Sequence, residues 1–225
     1  MEASASCGAV KSQKGDTFYT IRLAFARGSG TLSPVEAPLT PPADKRRHLY
    51  TQLLAYAARH PERRDVAEQM MRFVSETPDC FERSHAAGHI TGSAWLLNPA
   101  GDKALLTLHA KLGKWLQPGG HADGDADTLR VSLREAEEES GISGITPMSA
   151  DIFDVDIHAI PAHAPSGAPE HLHYDVRYLL RAPHERFVVS SESKALAWYS
   201  ADELEKLLRG TDNSVLRLAR LAFSA

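Results

Sequence analysis

Glu135, Glu138 and Glu139 stand at i, i+3 and i+4 in the run REAEEESG, so a helix through them carries three carboxylates on one face. Like charges held that close repel one another, and a divalent cation removes the cost. Hard oxygen ligands of this kind suit Mg2+ or Mn2+. The plain alternative is a solvated, glutamate-rich helix face. Just upstream, Gly119 and Gly120 let backbone approach a ligand or metal where a side chain would intrude. Histidine is the other reactive type, with 11 in 225 residues. His121 follows the glycine pair directly. His171, His173 and Asp175 alternate along one strand face, with Glu170 before them. That set can bind a metal or donate hydrogen bonds to phosphate or sugar oxygens. A polar, solvent-facing strand side is the competing reading. His158, His163 and His184 read as surface loop positions.

The acidic groups need a rigid support. Asp127 is placed as an N-cap for a helix starting near Thr128, after the loop ADGDAD. Leu129, Leu133 and Ala136 recur at helical spacing and predict the stripe that faces a core. Gly141 suits the left-handed position that closes the helix. Arg134 lies beside Glu135 and four residues before Glu138, where it can hold carboxylates in one orientation.

This segment resembles the signature of the Nudix hydrolase family: Gx5Ex7REUxEExGU, with U an aliphatic residue. Gly120, Arg134, Glu135, Ala136, Glu138, Glu139, Gly141 and Ile142 fall in register. The first Glu of the pattern falls on Ala126, flanked by Asp125 and Asp127. The resemblance implies a metal-dependent hydrolase that cleaves a pyrophosphate bond in a nucleoside diphosphate derivative or related small diphosphate. It implies Mg2+ or Mn2+ held by Glu135, Glu138 and Glu139, with the Gly119 carbonyl as a further ligand and Arg134 orienting the glutamates. His121, His171, His173 and Asp175 are then candidates for binding substrate. The general base is a helix glutamate or an acid in a later loop, for which Glu192 is the candidate; a solvated loop carboxylate is the other reading of Glu192. At Ala126, Asp125 or Asp127 can reach in, or fewer metals are held. Two rivals follow from the same resemblance: a non-catalytic Nudix-fold nucleotide-binding module, for which Ala126 is the sole support, and an isoprenoid diphosphate isomerase.

The elements around the motif agree with the α/β (α+β) fold that the resemblance implies, an α/β/α sandwich with a mixed sheet, preceded by a helical hairpin. Residues 1–40 carry Gly, Ser and Pro without periodicity and read as disordered or as an extension. In 41–80, Leu49, Leu53 and Tyr56 line a first helix. Pro61 suits the first turn of a second, striped by Val66, Met70, Phe73 and Val74 and stopped at Thr77-Pro78. The Nudix domain is expected over 85–222. Residues 89–97 and 104–110 read as strands joined by a turn at 98–102. Phe153, Val155 and Ile157 alternate with Asp154, Asp156 and His158. In 171–181, Leu172, Tyr174, Val176, Tyr178 and Leu180 share a face opposite His171, His173, Asp175 and Arg177. A last strand at 195–199 precedes a helix capped by Ser200 and Glu203 and closed by Gly210, and another helix spans 213–222. Trp95, Trp115, Tyr174 and Trp198 read as core aromatics, with Trp115 also placed to border a nucleobase.

Composition excludes other classes. Hydrophobic residues make up 43% and charged residues 24%, with a net charge of −4 and no basic stripe beyond KRRH at 45–48, so a nucleic acid polymer is not the expected partner. Cys7 and Cys80 are too few for a disulfide framework and fit a reducing, cytoplasmic setting. No apolar run reaches membrane-spanning length, and FYTIRLAFA at 18–26 makes a poor signal peptide. The expected partner is a small-molecule diphosphate, with a homodimer admitted as an assembly state.

Overall fold

Strands β1 (Gly88–Leu97) and β7 (His171–Arg181) form the centre of the computed structural model, paired in parallel from Gly88 opposite Leu172 to Leu97 opposite Arg181. The structure describes residues 40–110, 113–162, 167, 169–189, 193–209 and 213–223. Apart from Thr40, the expected extension at 1–40 lies outside the described residues, as do Glu192, His163 and Gly210. Around the central pair stand β2 (Lys103–His109), β3 (Trp115–Leu116), β4 (Gly119–His121), β5 (Thr146–Pro147), β6 (Asp154–Ile160) and β8 (Ser193–Ser200), which among the described residues complete a mixed eight-stranded sheet. β4 and β2 both pair antiparallel with β1, and β6 and β5 with β7.

Helices cover both sheet faces, because strand alternation makes both faces apolar in part. Ile90, Ala94 and Leu96 of β1 join Val176, Tyr178 and Leu180 of β7 in one core. Helices α1 (Arg47–Arg59), α2 (Arg64–Glu76) and α3 (Thr128–Ser140) close that side through Leu49, Leu53, Met70, Val74, Val131 and Ala136. Trp95, Leu97, Ala104 and Leu106 face the other way, against α4 (Ala201–Leu207) and α5 (Asn213–Phe223). The result is the α/β/α sandwich with a preceding helical pair. Pro61 opens a short 3-10 turn that runs into α2, and Thr77 ends α2 in extended conformation ahead of Pro78. Ser200 and Glu203 form the capping box of α4.

The support helix departs from its expected stripe. Thr128, Val131, Ser132, Ala136 and Ser140 are buried, while Leu129 and Leu133 pack at the margin of the core. Gly92 of β1 is the reason: a Cβ there would lie 2.8 Å from Val131 Cγ1, so the missing side chain is the notch that Val131 fills. Both helix ends follow the sequence. Asp127 accepts from the Arg130 N–H at 3.1 Å, and Gly141 adopts φ 66°.

The second sheet face is not apolar throughout. Along β1 it runs from Leu97 and Trp95 under the helices to Ser93, Thr91 and His89 beyond them, all five buried. The polar stretch is held by charge. Arg177 donates to Asp175 at 2.7 Å and to Asp154 and Asp156 at 3.0 Å each, and Arg217 of α5 adds a 2.8 Å bond to Asp154. Burial alone would raise the Asp175 carboxyl, but the Arg177 guanidinium and its hydrogen bonds hold it below the usual carboxylate range. Removing one partner of such a buried set strands the other charges. Arg177→Leu is therefore expected to cost about 3–5 kcal/mol, read as a lowered urea midpoint in equilibrium unfolding.

Candidate active site

α3 and β4 meet where the two glycines stand. Gly119 lies opposite Ser93 in the β1–β4 ladder and Gly120 opposite Gly92. A Cβ on Gly119 would fall 2.2 Å from Ser93 Oγ and 2.8 Å from its Cα, so the strands meet only because no side chain is there. A Cβ on Gly120 would fall 2.4 Å from Glu135 Oε2. The bare strand backbone is thus the surface against which the helix carboxylates pack.

Three hydrogen bonds fix that contact. Arg134 Nη2 donates both to the His121 carbonyl and to Glu135 Oε1, each at 2.8 Å. The Gly119 N–H donates to Glu139 Oε1 at 3.0 Å. The Glu135 hydrogen bond outweighs burial and raises the pKa of Arg134, so its charge is permanent. Glu138 lies on the exposed side of α3 and makes no hydrogen bond among the described residues. Sequence reading placed Arg134 as an orienter of glutamates, and its side chain here spans helix and strand.

The two acids beside Ala126 are engaged elsewhere. Asp125 receives a forked pair of bonds from Arg130, at 2.7 and 2.6 Å, and Asp127 caps α3. Ala126 itself packs against the core.

The histidines gather on the polar sheet face. His89 and His173 are register partners, and His121 pairs with Thr91, two residues along β1 on the same face. Ring centroids are 4.9 Å apart for His89–His121 and His89–His173, and 5.2 Å for His121–His173. His171 borders the group at 5.0 Å from His89. His158, expected in a surface loop, stands on β6 at 5.6 Å from His173, because His158 and His173 are register partners in the β6–β7 ladder. Asp175 points into the same face and is 2% exposed. Its carboxylate accepts from Thr91, Ser93, Gln117 and Arg177, which uses its acceptor capacity within the protein. Sequence reading missed His89, Thr91 and Ser93; the alternation in HITGSAW puts them on one face, but nothing in it says which strand lies alongside. Trp115 packs edge-on to Tyr199 at 5.2 Å, and Tyr174 stacks on Phe73 at 3.9 Å.

The family model described as NUDIX domain matches residues 89–219. No curated protein matches the chain. Among solved structures, a hydrolase of the NUDIX family from Clostridium perfringens is 26% identical, covering 60% of this chain and 96% of its own, with a TM-score of 0.45. A C. elegans Ap4A hydrolase is 20% identical, covering 60% and 94%, with a TM-score of 0.45. An ADP-ribose pyrophosphatase from Streptococcus suis is 23% identical, covering 60% and 89%, with a TM-score of 0.43.

The two glycines predict opposite failures. Gly119→Ala pushes on strand backbone and is expected to destabilise the fold by about 1–3 kcal/mol. Gly120→Ala meets only the carboxylate end of Glu135, and no strand backbone. It is expected to leave the melting temperature nearly unchanged while weakening Mn2+ binding, as followed by titration calorimetry. A large stability loss in Gly120→Ala would contradict the packing described.

Proposed function

The chain belongs to the Nudix family, and we propose that it is a pyrophosphohydrolase that cleaves a nucleoside diphosphate derivative or related small diphosphate with Mg2+ or Mn2+ on Glu135 and Glu139 and with Glu138 as the base. One observation carries this reading. Two of the three carboxylates are oriented against bare strand backbone, Glu135 by Arg134 and Glu139 by the Gly119 N–H, while the third stays exposed. Among the described residues, no helix is long and apolar enough to cross a membrane.

The donor set fits a hard divalent cation. It is all oxygen, and the absent Cβ of Gly120 leaves Glu135 room against the strand. The Gly119 carbonyl is a further donor on the same strand. Such an ion, when bound, neutralises diphosphate charge and acidifies the attacking water. The chain's own residues do the rest. Arg134 keeps Glu135 from turning into solvent and ties it to β4 through the His121 carbonyl. Glu138, exposed and held by no hydrogen bond, is the helix glutamate best placed to take a proton from water. We assign it the base role ahead of Glu192. The site proceeds without the first glutamate of the family pattern, since Asp125 and Asp127 are committed to Arg130 and to the helix cap.

A binding module without turnover is the second reading, and Ala126 is the feature that favours it. A phosphate-release assay with Mg2+ or Mn2+ across a panel of nucleoside diphosphate derivatives separates the two. Hydrolysis of any member is expected; binding without release across the panel would support the module instead. Glu138→Gln and Glu139→Gln are both expected to fold normally. Glu138→Gln should lose about 10²–10⁴-fold in kcat with metal affinity retained, whereas Glu139→Gln should lose both. Wild-type turnover in both variants would reject the assignment.

A further inference from the structure

We propose that His89, His121 and His173 form a transition-metal site, suited above all to Zn2+, that is separate from the carboxylate site of α3. One ligand nitrogen from each lies within 4.8 Å of the others. In a tetrahedral zinc site with Zn–N of about 2.0–2.1 Å, the spacing between ligand nitrogens is about 3.3 Å. Small rotations of the three rings cover the difference. The backbone that carries them is fixed: His89 and His173 are register partners on the parallel strands, and His121 pairs with Thr91 on the adjoining β4.

The hydrogen-bond pattern points to a missing partner. His89 is 3% exposed, and neither of its ring nitrogens has a hydrogen bond. Nε2 of His173 is buried and without one as well. A buried imidazole left so is costly, and a metal ion held by the trio supplies a partner. Burial, followed by the neighbouring imidazoles, lowers His89 to about 4 and His173 to about 2. His171 borders the trio with its Nδ1 within 2.8 Å of the Pro169 carbonyl.

The donor chemistry sets this site apart. Three imidazoles with no carboxylate among them suit Zn2+ and disfavour Mg2+, the reverse of the glutamate set. The two sites share one residue. The His121 side chain belongs to the nitrogen trio, and its carbonyl accepts the Arg134 bond that positions Glu135. Zn2+ at the histidines therefore pins β4, the strand on which the carboxylate site rests.

The test uses the untagged full chain, stripped with a chelator and titrated with Zn2+ by calorimetry, with metal content checked by mass spectrometry. A single equivalent should bind in the presence of excess Mg2+. At Zn2+ about a hundredfold above Kd, the melting temperature should rise by about 5–10 °C. Co2+ in place of zinc should give the visible absorption of a four-coordinate site with three nitrogen ligands. His89→Gln and His173→Gln should weaken zinc binding by more than the roughly 100-fold that follows loss of an outer-shell partner. His121→Gln, at a half-buried position, serves where the buried variants fail to fold. Glu138→Gln and Glu139→Gln should still bind zinc, which keeps this result independent of the hydrolase assignment. No stoichiometric zinc binding, or binding unchanged in the histidine variants, or binding lost in the glutamate variants, would overturn the proposal.

Discussion

Ten residue pairs join β1 to β7 in parallel, and each pair commits two side chains to a common face. A slip of one residue would turn Ile90, Ala94 and Leu96 toward α4 and α5 and bring His89, Thr91 and Ser93 into the core beneath α3. Both results are prohibitive, one for lost burial and the other for stranded polar groups. The register is therefore strongly specified, and the sites inherit it. His89 meets His173 and Thr91 meets Asp175 because those pairs are the ladder. β4 lies on the edge of β1, so the glycine pair also takes its position from the same strand.

Two kinds of donor are segregated across this frame. Carboxylates project from a helix onto bare backbone, where glycine lets them come close. Imidazoles project from the sheet itself, on the face turned away from that helix. Hard oxygen and borderline nitrogen sets select different ions, so proximity need not mean competition. His121 connects them without mixing their chemistry, because its carbonyl and its ring point to different partners. The buried aspartates complete the separation. Asp175 is a neighbour of the histidines in sequence and space, yet four protein donors occupy it, and Arg63, Arg177 and Arg217 offset the three aspartates of the polar face.

Local chemistry was legible in the chain wherever an element's own residues decide the outcome. The cap at Asp127, the left-handed end at Gly141 and the box at Ser200 and Glu203 involve groups within a few positions of one another. The apolar alternation of 172–180 likewise depends on strand periodicity alone. The stripe of α3 was misread for the opposite reason. Leu129 and Leu133 are the larger apolar residues, but the notch at Gly92, far away in sequence, selects Val131. His158 was misplaced because its environment is the opposing strand and not its own loop.

The amino-acid order by itself determined the family motif, the three-carboxylate helix face with its orienting Arg134, and the helix–strand succession of an α/β/α sandwich. Spacing along a helix is a property of adjacent residues, so it survives in a linear reading. Tertiary structure alone decided that Glu135 and Glu139 turn toward the glycine strand, that Asp175 is occupied by Thr91, Ser93, Gln117 and Arg177, and that His89 joins His121 and His173. These groups come from segments dozens of residues apart, and only strand pairing and its register bring their atoms within bonding reach.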